Sequence, residues 1–245
     1  MMETIAIIAL AFAFGGILKG ATGVGAPILA IPLLALFFDM PFAITIFSIP
    51  NLLPNIWQAW TYRRERLPRV FNLRFALAGG LGAATGTYLL ANIPSHLLEQ
   101  VLALVVLVYV GFRLFHPSWK LPYPAARALA APVGVLAGAL QASAGLSAPV
   151  SITFLTAMRL DRGTFITTIS TFFVALGVIQ IPMLIYYGFL TPHTAMLSAA
   201  ALIPLIAAMP LGAWLIRRVP RERFEMVLLV ILVGLSLKLL SGFFF

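Results

Sequence analysis

Gly20-Ala21-Thr22-Gly23-Val24-Gly25-Ala26-Pro27 interrupts one run of apolar residues, and Gln141-Ala142-Ser143-Ala144-Gly145-Leu146-Ser147-Ala148-Pro149 interrupts another. The arms on either side are 4–18 and 27–38 in the first case, 128–140 and 149–158 in the second. Proline suits the first turn of a helix, so each interruption reads as a break with a new helix starting near Pro27 or Pro149. Apolar segments at 42–62, 73–91 and 97–115 follow the first broken pair, and segments at 164–187, 194–216 and 223–242 follow the second. The second half of the chain repeats the order of the first.

The chain is 62% hydrophobic and only 9% charged, with a mean hydropathy of +1.05. A soluble domain carries roughly 25% charged residues. This chain has too few to cover a water-facing surface, so most of that surface must face lipid. A spanning helix needs about 20 mostly apolar residues, several segments meet that length, and no polar stretch is long enough for a separate soluble domain. The expectation is an all-α integral membrane protein whose residues 1–245 form a single transmembrane domain. The net charge of +9 would suggest nucleic acid in a soluble protein. Here the basic residues cluster between apolar runs, which points to membrane topology instead. With no cysteine there is no disulfide, thiolate metal site or thiol nucleophile. Met1-Met2-Glu3 runs straight into apolar sequence, without the basic start of a cleaved signal peptide.

Residue matches support the repeat. An offset of 122 pairs Gly16 with Gly138, Gly23 with Gly145, Pro27 with Pro149, Asp39 with Asp161, Ser48 with Ser170 and Gln58 with Gln180. An offset of 126 pairs Gly86 with Gly212, Tyr88 with Trp214 and Pro94 with Pro220. The boundaries are about 1–116 and 127–245, around a central loop at 117–126.

Basic residues set the orientation. They lie in 63–74, 113–127, 159–162 and 217–223, while the loops at 92–96 and 188–193 have none. If each broken pair enters and leaves the membrane on one side, fourteen of the sixteen basic residues share a face, all but Lys19 and Lys238. That satisfies the positive-inside rule, and a single crossing per pair violates it. The arms 128–140 and 149–158 would be about 20 and 15 Å long, short of a core of about 30 Å. The expected fold is two inverted repeats, each a re-entrant broken-helix hairpin plus three transmembrane helices. Both termini lie outside, and the four basic loops are cytoplasmic.

Broken backbone at membrane depth is tolerated only inside protein or along a wet cavity. Each break offers a helix N-terminus, with partial positive charge and unpaired N–H groups. Two of them meeting at a repeat interface would hold an anion. Candidate residues there are Lys19, Gly20, Thr22, Gly23 and Gly25 in the first break, and Gln141, Ser143, Gly145 and Ser147 in the second. Lys19, matched to Gln141, either neutralises part of an anion's charge or snorkels to the surface. Ser48, Asn51, Asn55, Gln58 and Tyr62 fall within about 80° of one another on a helix, a narrow polar stripe. Asn51, Asn55 and Gln58, with Ser170 and Gln180 opposite, are expected to line the path or to make interhelical hydrogen bonds. Asp39 and Asp161 suit helix caps. His96, His116 and His193 are too scattered for a metal site, and no cofactor is implied. Trp57, Trp60, Trp119, Tyr123 and Trp214 read as interface belt residues.

With its glycine-rich break, Pro32 beyond it, and duplicated halves, the chain resembles the sulfite exporter TauE/SafE family, also called the toluene sulfonate uptake permeases. The resemblance covers nearly the whole chain, although the second break is poorer in glycine. It implies a bacterial cytoplasmic-membrane transporter of small sulfur-containing anions such as sulfite, sulfonates or sulfoacetate. The residues by themselves give only a small anion. The expected partners are that anion and the bilayer, with no nucleic acid, and a homodimer stays open. An anion channel of the same architecture is one alternative. A membrane-embedded enzyme is another, for which no acid, histidine or activated serine stands at a convincing spacing.

Overall fold

A computed structural model describes residues 2–115, 120–218 and 221–241. His116, Pro117, Trp119 and Pro220 lie outside the described residues, with the start of the central loop. Every regular element among the described residues is an α-helix: α1 Met2–Thr22, α2 Ala26–Ala35, α3 Met40–Thr61, α4 Arg69–Asn92, α5 Ser95–Phe115, α6 Tyr123–Ala144, α7 Ala148–Ala157, α8 Arg162–Tyr186, α9 Pro192–Ala200, α10 Leu202–Arg218 and α11 Arg221–Ser241.

Five spans are long and apolar enough to cross a membrane: α1, α5 up to Phe112, α6, α8, and α9 with α10. The ten-residue α2 and α7 reach only about 15 Å. The 22 residues of α3 and 24 of α4 are long enough to cross. α3 carries Asn51, Asn55 and Gln58, and α4 carries Asn72 and Thr87, all turned inward. Leu77, Leu81, Val108 and Ile203 are each more than 60% exposed, whereas Lys19, Asn55, Gln141 and Gln180 are at most 4% exposed. A water-soluble protein reverses that distribution. The outer skin belongs against lipid tails, and the chain is a multi-pass membrane protein.

Both first arms are longer than the sequence suggests. α1 continues through Lys19, Gly20 and Thr22, and α6 starts five residues before 128 and ends four after 140. At 22 residues, α6 spans about 33 Å, so its length alone does not stop it from crossing. Gly20 looked like part of the break but serves close packing, since a Cβ there would run into the Met209 carbonyl. The chain turns instead at Gly23 and Gly145, with φ of +88° and +73°. Each N–H closes the last helical turn, Gly23 to Lys19 O at 2.7 Å and Gly145 to Gln141 O at 3.0 Å, and glycine takes this left-handed conformation without steric cost. Beyond the second break the chain doubles back, and Leu121 N–H donates to Ala157 O at 2.9 Å. The start of α6 and the end of α7 are therefore neighbours. The segment expected as one helix at 194–216 is divided at Ala201, because Pro204 has no N–H for the Ala200 carbonyl.

Two parallel helix pairs hold the bundle together. α1 lies against α10, with Gly16 on the Leu205 backbone, Gly20 on Met209 and Gly212 on Ile17. α4 lies against α6, with Gly138 on the Gly79 backbone, Gly134 on Phe75 and Gly86 on Ala139. Small residues let the backbones touch, the usual basis of helix association where lipid removes the hydrophobic drive. The contacts correspond pair by pair under the two offsets. Gly79 with Gly138 matches Leu205 with Gly16, and Gly86 with Ala139 matches Gly212 with Ile17. A polar pair follows the same relation: Thr168 Oγ1 donates to Asn72 Oδ1, and Ser198 Oγ donates to Ile46 O.

A Cβ at Gly16 or Gly138 would have to push backbone aside. Gly16→Ala and Gly138→Ala should each lose about 1–3 kcal/mol, read as a lower midpoint of thermal unfolding in detergent. Gly111→Ala meets nothing within 4 Å and should be neutral or gain up to about 1 kcal/mol in helix propensity.

Candidate functional site

Lys19 sits one turn before the first break and is 3% exposed. Its Nζ donates to Asn55 Oδ1 at 3.4 Å. Asn55 Nδ2 in turn donates to Asn51 O at 2.6 Å and to Asn51 Oδ1 at 3.3 Å. Among the described residues no carboxylate pairs with this ammonium. The inward stripe on α3 thus meets α1 at its one buried positive side chain among the described residues. Snorkelling to the surface is corrected by this burial.

Thr22 holds the break together. Its hydroxyl donates to Leu18 O at 2.8 Å and accepts from Gly25 N–H at 3.1 Å. Gln58 reaches in from α3, its Nε2 donating to Gly23 O at 3.0 Å, and Ser170 Oγ of α8 donates to Gln58 Oε1 at 3.4 Å. α3 and α8 are therefore joined across a residue that also touches the break.

The second break is organised by Gln141. Its Nε2 donates to Gly145 O at 3.0 Å, and its Oε1 accepts from Ser147 N–H at 3.0 Å and Ser147 Oγ at 2.8 Å. Gln180 Nε2 donates to Ala142 O at 3.4 Å, as Gln58 does to the first break. Ser143 turns back onto its own helix, donating to Ala139 O at 2.8 Å. Gly25 N–H and Ser147 N–H are 122 positions apart, and each is held by a side-chain oxygen, Thr22 Oγ1 in one break and Gln141 Oε1 in the other. Each break satisfies its own cap amide. The structure brings Lys19, Asn51 and Asn55 together, and separately Gln58 with Gly23 and Ser170. Gln141, Gly145 and Ser147 form a third group, and no hydrogen bond joins it to Lys19 among the described residues.

A cavity of about 600 Å3 opens beside the first break. Ala21, Thr22 and Val24 at the break, Thr153 and Thr156 of α7, and Arg159 and Arg162 all line it. Thr22 is exposed into this space.

The sequence reading left several residues unnamed as site candidates. Ser198 donates to Ile46 O, the carbonyl that Pro50 leaves without its helical N–H. That proline four residues downstream was the available signal. Asn72, paired with Thr168, is the repeat counterpart of Ser198. Ser151 Oγ donates to Ser147 O at 2.9 Å, and Thr45 Oγ1 is buried with no partner among the described residues. Asp39 caps α3 through Phe42 N–H at 2.8 Å, while Asp161 stands at the same point of α8 without making a cap bond. Trp60 and Trp214 are exposed, with Arg63 and Arg218 stacked over their rings at 4.4 and 4.5 Å.

These features define a class: a helical membrane protein whose polar groups converge on two interrupted helices. Residues 7–239 match the family described as sulfite exporter TauE/SafE, and the chain belongs to that family of membrane transporters. No curated protein and no solved structure matches it.

Removing the Gln141 side chain leaves Ser147 N–H, Ser147 Oγ and Gly145 O short of partners in a dry interior. Gln141→Ala should cost at least about 1–3 kcal/mol, while Gln141→Glu should lose less because it keeps an acceptor for Ser147. Chemical or thermal unfolding of the two variants beside the unaltered protein checks this.

Proposed function

We propose that the protein is a secondary transporter that moves a small sulfur-containing anion, of the sulfite, sulfonate or sulfoacetate class, across a bacterial cytoplasmic membrane. The observation that carries this reading is Lys19: a buried ammonium beside a helix break, hydrogen-bonded only to the neutral Asn55 among the described residues. A cation within the bilayer costs about 2.5–3.5 kcal/mol on insertion scales, and a bound anion would offset that cost. Its charge would lie near the N-terminus of α2, which favours negative charge. The small anion would displace the internal acceptors, taking amides that Thr22 and Gln141 hold in its absence.

The architecture we infer is two inverted repeats, about 1–116 and 127–245, each with a re-entrant pair and three spanning helices. The pairwise correspondence of the α1–α10 and α4–α6 contacts supports it. The Leu121–Ala157 hydrogen bond supports a pair that enters and leaves on one side. Parallel alignment of α1 with α10 and of α4 with α6 agrees with an orientation in which the basic loops are cytoplasmic. Alternating exposure would come from movement of one repeat against the other, with the Gln58–Ser170 contact on the surface between them.

The test is a thermal-shift series on purified protein with sulfite, sulfate, thiosulfate, taurine, sulfoacetate and carboxylate controls. A sulfur anion should raise the unfolding midpoint, since a ligand that binds only the folded state stabilises it. Lys19→Met should remove most of that rise, and vesicles preloaded with the same anion should show saturable counterflow. Stabilisation by carboxylates alone would sink the assigned cargo, and an undiminished shift in Lys19→Met would sink the role of Lys19.

A further inference from the structure

The polar lining of the cavity beside the first break is not repeated in the other half of the sequence. Its α7 wall carries Thr153, Thr156 and, past the helix end, Arg159 and Arg162. The residues 122 positions earlier are Ile31, Leu34, Phe37 and Met40. Four polar or cationic side chains on one side thus correspond to four apolar ones on the other. Three of the four apolar residues are buried. Ile31 lies on the second break, where a Cβ added to Gly145 would collide with its side chain. The first break meets the cavity through Ala21, Thr22 and Val24. One break is accessible and the other is covered.

The two arginines are placed against local preference. Arg159 adopts φ 55°, the left-handed region that a residue with a Cβ rarely occupies. Arg162 begins α8, at the positive end of a helix, where a cation is unfavourable. Asp161, at the N-cap, makes no cap bond there. Glu65 packs its carboxylate against Gly163, and neither acid lines the cavity. Arg159 and Arg162 are exposed, whereas Leu18, Val24 and Leu155, which also line the cavity, are buried. A narrow cleft lined by one sign of charge with apolar walls concentrates counter-ions.

We propose that this cavity is a one-sided anion vestibule: Arg159 and Arg162 collect a small oxyanion, and the hydroxyls of Thr156 and Thr153 lead it to Thr22 at the first break. The proposal rests on the transport reading above for the identity of its cargo, but its electrostatics can be tested separately. Ile31 closes the second break in the same conformation. The route is built into α7 and the loop after it, and α2 has no equivalent. The occupant is a small oxyanion, whether free in solution or carried on a lipid headgroup.

The chain contains no cysteine, so single cysteines report directly. Thr153→Cys and Ile31→Cys would be prepared in discs of zwitterionic phosphatidylcholine. Each would react with an anionic sulfonatoethyl and a cationic trimethylammonioethyl methanethiosulfonate. Thr153→Cys should favour the anionic reagent by roughly tenfold or more, relative to free thiol. Adding Arg159→Gln and Arg162→Gln should abolish that preference, and Ile31→Cys should stay unreactive. Thr156→Cys gives a second position in the same wall should Thr153→Cys fail to fold. Equal preference with and without the arginines would overturn the vestibule, and so would an unreactive Thr153→Cys in a folded protein. Dissolved sulfoacetate should slow labelling in these discs; protection that requires added phosphatidylglycerol would mean a headgroup occupant and overturn the free-anion route. Arginine-dependent selectivity in a protein that no sulfur anion stabilises supports the vestibule and overturns the cargo. Arginine-independent labelling in a protein that sulfite or sulfoacetate stabilises does the reverse.

Discussion

An amide N–H without a partner costs several kcal/mol where water is excluded, and both helix breaks are shaped by that cost. Breaking a helix frees its terminal backbone groups. Here a glycine in left-handed conformation closes the outgoing helix, and one side-chain oxygen takes the first amide of the incoming one. Thr22 does this by local reach across three residues, and Gln141 by a longer reach across six. The solutions differ in chemistry while meeting the same geometric need. The glutamines at 58 and 180 then tie each break to the long helix that follows it.

That arrangement is poised for exchange of partners. A hydroxyl or amide oxygen that holds a cap amide can be replaced by an anionic oxygen without leaving either group dry, provided the charge is balanced. Lys19 is one turn away from the first break and has a neutral partner, which leaves its charge available. On the proposed reading, binding is a substitution of acceptors, with Thr22 and Gln141 holding the amides when the anion is gone. The rigid backing comes from the glycine-lined pairs, which leave little room for α1 or α6 to yield.

Much of this was legible from residues. The breaks, their glycines at 23 and 145, the prolines that begin α2 and α7, and the polar stripe on α3 each left a local signature. The end of α1 was misjudged because glycine has two uses. Gly20 was read as a breaker, yet it stays helical so that α10 can approach. The length of α6 was underestimated for a related reason, since Pro124 sits in the first turn of a helix that also runs on through Pro132. Ser198 and Asn72 were invisible as isolated polar residues. Their meaning lies in a partner more than ninety positions away, and Pro50 hinted at only one of them. The cavity was beyond reach because Arg159 and Arg162 carry the same signature as any basic loop.

The close pairing of α1 with α10 bears on how the protein is made. The glycine face of α1 is complete early in synthesis, but Leu205 and Met209, which cover it, come near the end of the chain. At about 5–20 residues per second the gap is roughly ten to forty seconds. During that time the glycine face has no native partner on α10, and α6, by contrast, finds α4 already synthesised. The nascent first segment can pack on α2, where Gly15 meets Ala26, but its face toward α10 stays uncovered until the tenth helix arrives. The bundle is closed by elements from the two ends of the chain.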